Sequence, residues 1–509
     1  MRLLRRNALG VYAVYAAAIV SGLVVTPVVI HSIGTSSFGL WSFIGSVTIY
    51  LSVLDFGVGP SIVRFGAEAR GRRAADDLNE IASTGLAMYA GIGLLTLPIG
   101  VALAWIVPWA AGAPGDLAWS ARVATLLVVL SLAARFPLGL FNNLLVAQQR
   151  WDLQNLANFV STALYGILVA VLMPRYGGLV LLGALTLGTT VLRLSLPLLW
   201  LKRELPELRI RRRFVTRARL RELMTFSSSN FLVHIAQKIV FSTDVIVVGL
   251  VLGATATGVY SVPAKLFALV FGIGTAVTSL MFPAFAELEG AGDVEQQRRL
   301  LLSGLRAGTA LMLLLALPLL LIPDILIHAW IHKRGFGDSY AVMSILAGVL
   351  LVHQPIYVLT QFLIARARQR AVAWVSIVTT VANLALSFAL ASVWGLWGVA
   401  FSTLVTDLVA LAYIVPRYAA PAAETTSWQL VRAIARPALP AFVAAAAVLV
   451  ALARVWKPDT LVALVPLGAL WTVVALAAVW RYGLDADERA RFGRELLRGR
   501  SARPAAVDL

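Results

Sequence analysis

Cysteine is absent from the 509 residues, which excludes disulfides, thiolate metal sites and cysteine nucleophiles and leaves no redox signal to read. Charge is scarce at 13% of residues, and acid scarcer still, with 25 Asp and Glu against 43 Lys and Arg. No glycine loop of the phosphate-cradling type, no nucleophile elbow and no zinc-protease motif occurs. No polar stretch is long enough to be a nucleotide-binding or extracytoplasmic catalytic domain, so any transport is not driven by ATP bound to this chain.

What is abundant is apolar sequence, 60% of residues with a mean hydropathy of +0.84, far from the composition of soluble domains. The fold expected is all-α, a polytopic membrane protein. At roughly 20 residues per crossing the chain holds about fourteen spans, among them 8–30, 38–63, 224–252, 257–283, 438–454 and 460–480. The MRLLRR start imitates a signal peptide, but the apolar run behind it is long enough to be retained as the first span.

The net charge of +18 sits mostly in short connections between apolar runs, which points to topology and anionic membrane lipids and away from nucleic acid. Thirty-two basic residues fall in connections on one side and five on the other, so both termini are expected to be cytoplasmic. The expected division is a first six-helix lobe at 1–201, a basic amphipathic cytoplasmic linker at 202–222, and a second six-helix lobe at 223–416. A connection with two extra helices follows at 417–480, then a basic cytoplasmic tail at 481–509. The linker, with Leu205, Leu208, Ile210, Phe214, Val215 and Leu220 among arginines, reads as an interfacial helix.

The two lobes are related by an internal repeat. SIGTSSFGLWS from Ser32 sets against VLGATATGVYS from Val251, pairing Gly34 with Gly253 and Gly39 with Gly258. LLVAQQR from Leu144 sets against FLIARAR from Phe362 at an offset changed by one. An even number of spans per half gives both halves one orientation, related by an axis along the membrane normal.

Ionisable residues inside spans are costly, about 2.5–3.5 kcal/mol at mid-bilayer for Asp, Lys or Arg, so each needs a reason. Six bases lie there (Arg122, Arg135, Arg193, Lys238, Lys265 and Arg306) against three acids (Asp55, Asp244 and Asp407). Arg122, Arg193 and Arg306 lie near span ends, where snorkelling accounts for them; Arg135, Lys238 and Lys265 are deeper. The densest constellation is Leu54 to Arg73, where Asp55 is followed by Gly57, Gly59, Pro60 and Arg64. Asp55 there either closes a structural pair with a neighbouring arginine or serves transport. His328 and His332 have metal-pair spacing without a clear third ligand, so no metal site is expected. His234 and Lys238 share a helix face and fit either proton exchange or packing.

Three stretches carry a resemblance: LDFGVGPSIVRFGAEARGRR from Leu54, STDVIVVGLVLGATATGVYSVPAKL from Ser242 and LMFPAFAELEGAGDVEQQRRLL from Leu280. They resemble the polysaccharide-transport branch of the multidrug/oligosaccharidyl-lipid/polysaccharide exporter superfamily. The resemblance implies alternating access around a central cavity and movement of a polyprenyl-diphosphate-linked oligosaccharide to the outer leaflet of a bacterial cytoplasmic (inner) membrane. The products would be O-antigen, capsule or exopolysaccharide, with a glycan polymerase or ligase as partner. It also implies that Asp55 and Arg64 are the charged pair closing the second helix and Asp244 the acid of the seventh. From their charge and place within spans, and not from any motif for Arg135, Lys238 or Lys265, the cationic substrate candidates are Arg64, Arg135, Lys238, Lys265 and Arg306, and the coupling or gating candidates Asp55, Asp244, His234 and Asp407. No cofactor is expected beyond a coupling proton or sodium ion. The alternatives are a multidrug or small-metabolite cation-coupled antiporter of the same superfamily, which would want an acidic interior, and a membrane enzyme of glycan assembly.

Overall fold

The computed structural model describes residues 2–227, 243–435, 441–478 and 480; His234, Lys238 and the basic tail lie outside them. The described residues form helices and connections, without strands. They run α1 (Arg2–Leu51), a 3-10 turn at Ser52–Asp55, α2 (Val58–Arg72), α3 (Ala75–Ala110), α4 (Gly115–Ala147), α5 (Trp151–Tyr176) and α6 (Leu179–Glu204). A helical stretch, α7, covers 217–227. Next come α8 (Thr243–Ser279), α9 (Met281–Ala291), α10 (Val294–Leu321), α11 (Pro323–Ile331), α12 (Gly337–Ala365), α13 (Gln369–Trp394) and α14 (Leu396–Ile414). The chain closes with α15 (Ala420–Ala422), α16 (Ser427–Ala435), α17 (Ala441–Trp456) and α18 (Leu461–Ala478).

Among the described residues ten helical segments are long and apolar enough to cross a membrane, two of them being Ala13–Asp55 (43 residues, α1 with the 3-10 turn) and Thr243–Ala291 (49 residues, α8 with α9), and two shorter apolar helices follow. Each of these two carries a kink, at Gly34 (φ 79°, ψ 168°) in α1 and Gly253 (φ 83°, ψ −178°) in α8. The crossings expected at 8–30 and 38–63 flank the first kink, and the one expected at 224–252 lies partly outside the described residues. Both kinks use a backbone conformation that a side chain disfavours, and both fall on glycines that the internal repeat sets in register.

Packing divides the chain into two compact units. The first comprises Met1–Lys265, Lys333–Ser339 and Ser376–Ser402; the second comprises Leu266–His332, Tyr340–Val375 and Thr403–Leu509. In the first unit, Ile62 of α2, Ile81 of α3 and Leu140 and Leu144 of α4 form the middle of a fully buried cluster. Also in that unit α1 meets α8 backbone to backbone. A side chain on Gly39 would run into the Ala254 carbonyl, and one on Gly258 into that of Thr35. Thr35 and Ala254 are themselves repeat partners, so the contact is made by matching small-residue pairs, the pattern that lets membrane helices approach closely.

In the second unit the two helices outside the repeat acquire a packing role. Leu449 of α17 and Trp471 and Ala475 of α18 are buried with Leu313 and Leu317 of α10. The Trp471 indole donates to the Leu314 carbonyl at 2.8 Å, and Arg454 pairs with Asp324 of α11.

Residues 205–216 do not form the expected interfacial helix. Beyond Glu204 the chain is irregular apart from a 3-10 turn at Arg212–Phe214. Leu205, Leu208 and Ile210 turn inward onto the α2–α4 core. The physical reason is that α3 offers this backbone partners: Asn79 accepts from the Arg209 amide at 2.6 Å and Ser83 from that of Arg211 at 3.2 Å. Pro206 could not continue α6 in any case. Arg219 of α7 then bonds Asp77, Glu80 and Glu222, anchoring the linker to α3 by charge.

Candidate functional site

The second span breaks where the sequence carries its densest signals. The 3-10 turn ends at Asp55, and Phe56 (φ 48°) and Gly57 (φ 79°) follow in the left-handed region before α2 starts. This break forms one edge of a cavity of about 670 Å³ in the first unit, within the range of about 300–1,000 Å³ usual for ligand sites. Asp55 and Arg64 come to it from the break and α2, Arg135 from α4 and Arg193 from α6. Among the described residues three guanidiniums therefore share the space with one carboxylate.

Asp55 is held by neutral neighbours. It hydrogen-bonds the Tyr89 hydroxyl, and Asn143 donates its amide to that hydroxyl at 3.1 Å. Gly59 makes room for them: a Cβ there would lie 3.2 Å from Tyr89 Oη and 3.3 Å from Asn143 Nδ2. Of the two roles open for Asp55, a structural pair with a neighbouring arginine is not formed among the described residues, and a tyrosine–asparagine clasp stands in its place. Arg64 bonds Glu68 at 3.2 Å instead, and its guanidinium lies 4.5 Å from the Phe226 ring centroid. Its side chain remains about half exposed at 52%, so most of its donors stay available.

Arg193 is a correction to the snorkelling account, because the face of α6 on which it sits turns it into the cavity, within electrostatic reach of Arg135. Among the described residues neither Arg135 nor Arg193 has an acidic partner. Two like charges held together in a partly buried site repel, and a multiply charged anion relieves that repulsion.

The other candidates are dispersed. Lys265 on α8 is exposed, its ammonium 5.2 Å from the Phe38 ring centroid. Arg306 is half-buried on α10. Neither lines the 670 Å³ cavity. Asp244, at the start of α8, accepts from the Tyr260 hydroxyl at 3.0 Å. Asp407 of α14 pairs with His353 of α12 at 2.8 Å, against the edge of which Phe271 packs with centroids 5.2 Å apart. His353 carried no signal as an isolated histidine. Its signal was positional: the repeat register through LLVAQQR and FLIARAR, extended back, sets Pro137 on Pro355 and Arg135 on His353. Arg122 near the opposite end of its span lies 4.2 Å from the Trp105 ring centroid, as a snorkelling side chain would. His328 and His332 lie with ring centroids 6.2 Å apart, and among the described residues no three potential metal ligands group together.

Residues 4–289 match the polysaccharide biosynthesis protein family. The chain belongs to this family. Its many long apolar helices make it a multi-pass membrane protein. It is 24% identical over 405 residues to the uncharacterized membrane protein EpsK of Bacillus subtilis (strain 168), covering 77% of this chain and 78% of that one. In fold it is similar to the lipid II flippase MurJ in an inward closed conformation, with a TM-score of 0.69 at 13% identity over 96% of this chain and 100% of MurJ. It is also similar to an inward-facing multidrug resistance MATE family transporter of the MOP superfamily, with a TM-score of 0.62 at 16% identity over 79% and 93%.

Proposed function

We propose that this family member is a flippase that carries a polyprenyl-diphosphate-linked oligosaccharide across the bacterial cytoplasmic membrane by alternating access. The observation that carries the reading is the cavity with Arg64, Arg135 and Arg193 against the single acid Asp55. Guanidinium forks match phosphate oxygens bidentately, and a diphosphate diester supplies the negative charge that offsets the Arg135–Arg193 repulsion. The sugars travel in the polar cavity while the prenyl chain stays in lipid. An antiporter of organic cations would need the opposite sign at this site.

The Asp55–Tyr89–Asn143 clasp is the point at which ion coupling would act. Among the described residues Asp55 is the only acid on the cavity wall, so its protonation, or a sodium ion beside it, would change the sum of charge that the diphosphate meets. Both termini would lie in the cytoplasm, with the exported unit passed to a glycan polymerase or ligase on the far side.

The test is inter-leaflet transfer of a fluorescent polyprenyl-diphosphate oligosaccharide in proteoliposomes, under proton and sodium gradients. Transfer that is lost when Arg135 and Arg193 are both alanine supports the proposal. Transfer unaffected by that double variant, or efflux of cationic drugs in its place, overturns it.

A further inference from the structure

Arginine is only half of the cavity's chemistry. The wall supplied by α5 carries no charge: Trp151, Gln154 and Asn158 line it from one helix face at positions i, i+3 and i+7, and Asn142 of α4 lines it as well. Among the described residues the side-chain amides of Gln154, Asn158 and Asn142 have no hydrogen-bond partner, in contrast to Asn143, which is committed to Tyr89. Each free amide presents both a donor and an acceptor.

The start of α5 is fixed in place. Arg150, the residue before Trp151, bonds Asp152 at 3.1 Å and also pairs with Glu204 at the end of α6. Trp151 opens α5, is 45% exposed and lines the polar cavity. A tryptophan at a helix end is also a usual membrane-interface anchor. The two readings differ in what the neighbouring positions must be, since an anchor needs no amides one and two turns further along.

The internal repeat supplies a control. α5 starts at Trp151 directly after LLVAQQR, and α13 starts at Gln369 directly after FLIARAR. In that register Trp151, Gln154 and Asn158 correspond to Gln369, Val372 and Ser376. The aromatic–amide–amide face belongs to the first half alone, as do the cavity arginines.

We infer that Trp151, Gln154, Asn158 and Asn142 form a saccharide subsite, which binds the sugar nearest the diphosphate. Sugar hydroxyls are donors and acceptors at once, matching free carboxamides, and the axial C–H face of a pyranose stacks on an aromatic ring. A prenyl chain has no use for amides, and a phosphate has no use for an indole face. The assignment rests on the flippase reading, since it takes the ligand to be a glycosylated diphosphate lipid, and it adds where the glycan is recognised.

The experiment measures equilibrium binding to the full chain in nanodiscs with three probes: undecaprenyl diphosphate, and the same lipid carrying a single glucosyl or N-acetylglucosaminyl residue. The wild type should bind at least one glycosylated probe about tenfold tighter than the bare lipid, the worth of one good stacking contact or one to two neutral hydrogen bonds. Trp151→Ala combined with Asn158→Ala should erase that preference and leave bare-lipid affinity within about twofold. Trp151→Phe should keep most of the preference, which an unfolded or merely repacked helix would not do. Arg135→Ala with Arg193→Ala should weaken all three probes together. A wild type that binds all three equally, or a Trp151/Asn158 variant that keeps its preference, overturns the subsite. Binding of no probe by the wild type overturns the flippase reading itself.

Discussion

Helices α4 and α12 occupy the same place in the two halves and carry a proline at the same position, Pro137 and Pro355, yet their charged chemistry has diverged. Two residues before the proline, α4 has Arg135, which lines an open cavity with Arg193 of the sixth helix of its half. At the matching position α12 has His353, closed onto Asp407 of the sixth helix of its own half at 2.8 Å. The next residue, Gln354, donates to Thr278 at 2.6 Å. At these matched positions the first half leaves its arginines without acidic partners among the described residues, whereas the second half closes its polar side chains on neighbours. The matched proline was kept while the residues beside it diverged, and the cavity arginines belong to the first half.

That contrast can be broken by experiment. Charge-assisted hydrogen bonds contribute about 1.5–3 kcal/mol each, so Arg135→Ala with Arg193→Ala should slow lipid flipping at least about hundredfold. A smaller loss would mean that the first half is not where the anion sits. Gly39→Leu and Gly258→Leu probe the place where the halves have stayed alike. Each inserts bulk into a backbone contact, at a cost of about 1–3 kcal/mol, and the two should depress flipping to the same degree, read in the same proteoliposomes. Unequal effects would show that the matched contact is not matched in function.

Asp407→Asn should lower thermal stability by about 1 kcal/mol, the worth of a partly buried hydrogen bond, and leave binding of undecaprenyl diphosphate unchanged. Weaker lipid binding in that variant would bring the second half into the anion site and end the division of labour. The smallest effect is expected outside the repeat. The Arg454–Asp324 pair is largely exposed, at 54% and 33%, so Arg454→Ala should cost no more than about 1 kcal/mol in a denaturation midpoint and leave flipping intact.

Much of this was legible in the residues. The repeat pairs Gly34 with Gly253, the two glycines at which α1 and α8 kink, and the cavity edge falls at Asp55 and Arg64, where the apolar run was interrupted. Arg135 was marked by its depth. Arg193 was misread because distance along a helix locates a residue in the bilayer but does not say which way it faces. Tyr89, Asn143 and Gln154 passed unseen since neutral polar residues add little to the cost of a span and so raise no alarm. The linker misled because amphipathic spacing is satisfied equally by lipid and by the side chains of α3, and only the partners at Asn79 and Ser83 distinguish the two.

The break at Phe56 and Gly57 has a consequence for the electrostatics of the cavity that no arginine controls. Because the chain stops being helical after Asp55 and restarts at Val58, the first turn of a 15-residue helix opens beside the site, with Gly59 and Pro60 on its wall. The aligned peptide dipoles of α2 place a partial positive charge of about half a unit at that end. This charge is built into the main chain and titrates at no pH. Side-chain substitution can strip the guanidiniums but leaves this contribution in place, so it sets a floor of anion attraction for as long as the helix is interrupted.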